Sequence, residues 1–140
     1  MFIPEIPANS LTAEITEIVS LCIRLENDCE FAFSQPVSEG EIDKWEQNHD
    51  MRLPEQIRNW LRFTNGCTIG YDRIFGLEGF IVRHCQLPDE LVIIGVTHDE
   101  SLCFSKNSGE ILRYGLRETR RYNDFRDFLS STLIRSLKKG

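Results

Sequence analysis

Apolar residues recur along this chain first at helical spacing, then at strand spacing, then at helical spacing again. Leu11, Ile15, Ile18, Cys22 and Leu25 form one stripe of a helix that Ser10 is placed to cap, with Val19 and Ile23 broadening it. Phe31-Ala32-Phe33 alternates briefly before Pro36, as a very short strand or a lead-in does. From Val37 to Gly66 two consecutive amphipathic helices are predicted. Ser38 and Glu41 have the spacing of a capping box, and Val37 with Ile42 that of a hydrophobic staple. Ile42, Trp45 and His49 share one face of the first helix. Pro54 suits the start of the second, which buries Ile57, Trp60, Leu61 and Thr64 and stops at Asn65-Gly66.

Beyond Gly66 the period shortens towards two. Residues 67–77 predict a strand pair or a broken strand, with Gly70 and Gly76 marking bulges or close backbone approach. Residues 78–90 show little periodicity and predict a loop. Leu91 to Gly95 is an unbroken apolar run, hence a strand buried on both faces. His98 to Glu100 predicts a turn, and residues 101–104 and 110–114 a hairpin about the turn Lys106-Asn107-Ser108-Gly109. Gly115 to Arg121 is polar and basic; Asn123 is placed to cap a last helix burying Phe125, Phe128, Leu129, Leu133 and Leu137. Helices, then strands, then a helix predict an α+β fold, with a mostly antiparallel sheet covered by helices. The 140 residues predict one domain, 1–140.

Composition narrows the function. With 41% hydrophobic and 27% charged residues the chain reads as a globular protein. No apolar run has the ~20 residues of a membrane helix, and no secretory signal is visible, so a cytoplasmic location is expected. Five scattered cysteines without a CxxC pair predict reduced, mostly buried thiols. A zinc site of His84, Cys85, His98 and Cys103 is disfavoured, because adjacent residues of an extended segment point apart; no metal or cofactor is expected.

The net charge of −6 speaks against nucleic acid as the main partner. Its distribution is uneven: residues 1–56 carry twelve acidic and three basic side chains, residues 113–140 three acidic and eight basic. Arg117, Arg120, Arg121 and Arg126 with Tyr114 and Tyr122 have the composition of a nucleic-acid patch, but a solvated rim of the last helix accounts for them as well. Phosphate-loop, nucleophile-elbow and HExxH motifs are absent. Glu39, Asp43 and Glu46 fall at i, i+4 and i+7, a shared exposed helix face that does not shield a carboxyl for acid–base work. That face suits protein binding, and with Asp50 and Glu55 it is the candidate contact surface for a basic partner. Trp45 and Trp60 lie on apolar stripes and are expected in the core, with acceptors for their ring N–H groups.

The run EIDKWEQNHDMRLPEQIRNWLRFTNG resembles the signature of the SMI1/KNR4 family of the SUKH superfamily: an acidic helix start, Ile, Trp-Glu, Leu-Pro and a terminal Asn-Gly. The later segments LVIIG, CFSKNSGEILRY and FRDFL follow in the same order, so the resemblance spans roughly residues 31–133. It implies the same α+β fold and a structural role for Trp45, Leu53, Pro54, Trp60 and Gly66. It also implies a non-catalytic protein-binding domain, similar to the bacterial immunity proteins that neutralise polymorphic toxins, many of them nucleases. The alternatives are a regulatory interaction scaffold like the fungal members, or a small ligand-binding domain.

Overall fold

The computed structural model describes residues 1–115 and 119–139. Among these residues seven strands form one antiparallel sheet whose spatial order follows the chain. They are β1 (Phe31–Phe33), β2 (Cys67–Ile69), β3 (Asp72–Ile74), β4 (Leu91–Thr97), β5 (Glu100–Ser105), β6 (Ile111–Tyr114) and β7 (Thr119–Tyr122). Helix α1 (Thr12–Arg24) precedes the sheet, and α2 (Glu39–His49) and α3 (Glu55–Leu61) are inserted between β1 and β2. The helical run at the end comprises α4 (Phe125–Phe128), a π-helical stretch (Leu129–Ile134) and α5 (Arg135–Lys139). The α+β class, the antiparallel sheet and the final helix are those expected from the sequence.

The helices bury one face of the sheet. Val92, Ile94, Leu102, Phe104 and Ile111 meet α1, α3 and the last helical run in the main core. Trp60 stands at its centre, with ring centroids 5.6 Å from both Phe63 and Phe125. Leu91, Ile93, Cys103 and Leu112 point the other way and form a second, smaller cluster with Phe75, Leu87 and Tyr114. The run 91–95 is therefore buried on both faces as its composition requires, and the strand continues to Thr97. The last helix buries Phe125, Leu129, Leu133 and Leu137 at intervals of four. In a regular α-helix such a series drifts about 40° per step. The wider π turn over Leu129–Ile134 compensates and keeps the series on the core.

Local chemistry departs from expectation at several points. Ser10 does not cap α1, which has no side-chain cap. Asn9 Oδ1 accepts from Leu11 N, and Ser10 Oγ instead accepts from Asn59 Nδ2 of α3. Ile23 is half exposed, and Leu21 is buried in its place. Asp124, not Asn123, caps the last helix, accepting from Asp127 N at 2.8 Å. The basic segment after Gly115 contains β7, whose residues Thr119 to Arg121 are exposed, as befits an edge strand without apolar alternation. Gly70 turns the β2–β3 hairpin at φ 59 rather than forming a bulge, which lies instead between Ile93 and Gly95. Trp60 is buried, yet its Nε1 has no hydrogen-bond partner among the described residues.

Candidate functional site

Helices α2 and α3 fold into a hairpin, and each part of it is traceable to a residue. Ser38 Oγ accepts from Glu41 N and Glu41 Oε1 accepts from Ser38 N, both at 3.2 Å, so the capping box is formed. Asp50 ends α2 in the left-handed conformation, φ 49 and ψ 50. Its N–H and that of Met51 then close on the Glu46 carbonyl. Glu46 Oε2 accepts from Leu53 N at 2.7 Å, and its Oε1 accepts from Arg58 of α3 at 2.6 Å. One carboxylate thus joins the first helix, the connector and the second helix.

Arg58 also reaches Asp43 at 3.0 Å and Glu39 at 3.3 Å. Arg62 Nε approaches Glu39 at 3.7 Å. Partial burial opposes the Arg58 charge, but hydrogen bonds and Coulomb attraction from Asp43 and Glu46 outweigh it and raise its pKa. All five acidic residues singled out in the sequence, Glu39, Asp43, Glu46, Asp50 and Glu55, line one open groove of about 950 Å³. Arg52 and Arg58 line it too, so five carboxylates face two guanidiniums. The five are not equivalent. Glu39 and Asp43 are exposed and share Arg58, whereas the Glu46 side chain is only 15% exposed and is fully engaged. The Asp50 and Glu55 side chains are exposed, and their carboxylates have no hydrogen-bond or ion-pair partner among the described residues. Sequence reading missed the ion-pair ladder, although its signal was present: Arg58 in α3 and Arg62 at its C-terminal cap, four apart, match the acidic stripe of α2.

The candidates for chemistry have structural placements. His49 stacks on Trp45 at 4.2 Å, with Nδ1 2.8 Å from the Trp45 carbonyl, a helix-end residue at the core margin. His98 Nε2 lies 3.8 Å from buried Asp72, not from its neighbour Asp99. Cys67 is buried, and desolvation pushes its thiol far above the ordinary range. Among the described residues no three His, Cys, Asp or Glu side chains are grouped to hold a metal ion. Arg117 lies outside the described residues. Of the other members of that basic patch, Arg121 pairs with Glu110, Arg126 pairs with Glu14 at 3.0 Å, and Tyr122 is buried against Thr132. None of the described helices is long and apolar enough to cross a membrane.

The order of capping box, Trp-Glu, Leu-Pro and Asn-Gly now has a geometry, and the SMI1 / KNR4 family (SUKH-1) profile matches residues 36–131, well over half of the chain. The chain belongs to the SMI1/KNR4 family. No curated protein matches it. SMI1/KNR4 domains are generally non-catalytic, and membership supports a protein-interaction role of the SUKH type. The SMI1/KNR4 signature residues hold the helical hairpin to the sheet. Glu46 fastens the Leu-Pro connector, Trp60 fills the core, and Asn65 Oδ1 accepts from Leu77 N at 2.8 Å. Gly66, at φ 88, passes so close to Gly76 that an added Cβ would lie 2.5 Å from its nitrogen.

Proposed function

We propose that this SMI1/KNR4 domain is a non-catalytic immunity protein that neutralises a bacterial polymorphic toxin of the nuclease class by covering its basic surface. The observation that carries this reading is the α2–α3 groove, where Glu39, Asp43, Glu46, Asp50 and Glu55 converge on a rigid helical hairpin. A nuclease must be basic where it holds nucleic acid, and an acidic, preorganised surface is its electrostatic complement. Asp50 and Glu55 supply free charge at the groove, while Glu39 and Asp43 exchange part of their pairing with Arg58 for a partner's cation. Glu46 serves by holding the groove's shape.

The test is co-purification from the native host with the neighbouring open reading frames identified. A toxin that kills only when this protein is absent is the expected result. Asp50→Lys with Glu55→Lys should then slow association with that toxin about tenfold or more at low salt, with the difference shrinking as salt is added. Association unchanged at both low and high salt removes the groove as the contact surface. A signalling protein captured in place of a toxin replaces the immunity reading with that of a regulatory scaffold.

A further inference from the structure

On the outer face of the sheet the second apolar cluster stops at Phe75, and the first three strands carry only small or polar side chains there. Ala32, Thr68 and Arg73 are paired in one transverse row across β1, β2 and β3. Residues 75–81 wall this row on one side, where Ile81 bridges to Ile93 of β4. The result is a hollow of about 450 Å³, a size within the range of small-molecule sites.

Three of its polar side chains are unused, while Asn65 Oδ1 is engaged by Leu77 N. Ser34 Oγ, Thr68 Oγ1 and the Arg73 guanidinium line the hollow, and none has a hydrogen-bond or ion-pair partner among the described residues. Among the described residues Arg73 is the only charged one in the lining, a cation within a chain of net charge −6. Its guanidinium is centred 5.5 Å from the Phe75 ring, which fixes the fork beside an aromatic wall. A planar five-donor fork matches a carboxylate in two parallel hydrogen bonds, and a single such group balances one negative charge rather than two. Phe75 and Ile81 offer apolar surface, and the small Ala32 side chain leaves room for a ring to lie against the strands, whereas the space beside Gly76 is taken by Asn65.

We propose that this hollow binds a small planar carboxylate, its charge on Arg73 and Thr68 and its ring against Phe75 and Ile81. The site faces away from the helices and is separate from the α2–α3 groove, so it stands whether or not that groove binds a toxin. The experiment is a titration of the full ¹⁵N-labelled chain with benzoate, benzamide and inorganic phosphate, followed by amide chemical shifts. Benzoate should give saturable shifts centred on Thr68, Arg73 and Gly76, with benzamide at least about tenfold weaker because it lacks the charge. Arg73→Ala should abolish the benzoate shifts and Thr68→Val should weaken them, with the spectra showing both variants folded. Arg52→Ala and Asp50→Lys should leave them unchanged. The proposal is overturned by absence of saturable shifts, by equal affinity for benzamide, by binding that survives Arg73→Ala, or by phosphate competing as well as benzoate.

Discussion

Replacing Glu46 separates a structural carboxylate from a merely acidic surface. In Glu46→Ala the Leu53 N–H loses the acceptor 2.7 Å away, and Arg58 loses its shortest bond, 2.6 Å. A partly buried donor left unsatisfied costs about 1–3 kcal/mol, and a charge-assisted bond contributes about as much again. Arg58 retains Asp43 and Glu39, which limits the second loss, and alanine is the better helix former. The expected cost is about 3 kcal/mol, or roughly 10 °C in Tm for a chain of this length. Glu46→Gln keeps a carbonyl oxygen for Leu53 N–H and should cost only about 1 kcal/mol. Asp43→Ala, whose side chain is 59% exposed, should cost less than about 1 kcal/mol. Urea titrations followed by tryptophan fluorescence compare the three variants, since Trp45 and Trp60 both lie in the core. Glu46→Ala and Asp43→Ala of equal stability would refute the joint assigned to Glu46.

Other outcomes follow from burial and backbone geometry. Trp60→Ala should cost about 3–5 kcal/mol, and Trp60→Phe clearly less, because Phe keeps most of the buried ring and no hydrogen bond of Nε1 is lost; equal losses in a melting experiment would contradict that placement. Gly40→Ala, in α2 with nothing within 4 Å of its added Cβ, should raise stability by about 0.5–1 kcal/mol. Gly76→Ala should lower it, because the new Cβ would lie 2.8 Å from Asn65 Oδ1 and the Asn65 carbonyl. An aromatic disulfide reagent should label Cys29 and Cys85 rapidly in the native protein and the buried Cys22, Cys67 and Cys103 only on unfolding. Desolvation pushes the Cys22 and Cys103 thiols from 9.0 up to about 12. Between those values the unfolded chain holds fewer protons than the folded one, so stability should fall as pH rises from 9 towards 12, and serine at either position should flatten that part of the curve.

Elements marked by strong periodicity or explicit stop chemistry were legible in the sequence. The capping box at Ser38, the apolar run at Leu91 and the Asn-Gly stop each encode a local geometry that tertiary contacts reinforce. Strand β7 was not legible, because Thr119 to Arg121 sit exposed at an edge and carry no alternation. Ser10 looked like a cap, but its hydroxyl faces α3, and that choice depends on packing rather than on neighbours in sequence. The acidic residues of the groove were legible as a face of α2. Their division into structural and free charges was not, since it needs Arg58 to arrive from another helix at 2.6 Å. The outer hollow left no sequence signal at all: Ala32, Thr68 and Arg73 come from three strands, Ser34 from just past the first, and they meet only through the register of the sheet.

The order of the sheet has a consequence for how the protein is made. Because β4 to β7 pair with their sequence neighbours, a nascent chain can assemble this ladder rung by rung as it leaves the ribosome. The face that Val92, Ile94, Phe104 and Ile111 present, however, is sealed by residues on both sides of the ladder, including Phe125, Leu129 and Leu133, which are synthesised later. A chain ending before the last helix would therefore display a sheet with an unsealed apolar face. Truncation after Tyr122 should accordingly favour capture by chaperones or self-association, whereas the chain that includes Phe125, Leu129 and Leu133 seals that face.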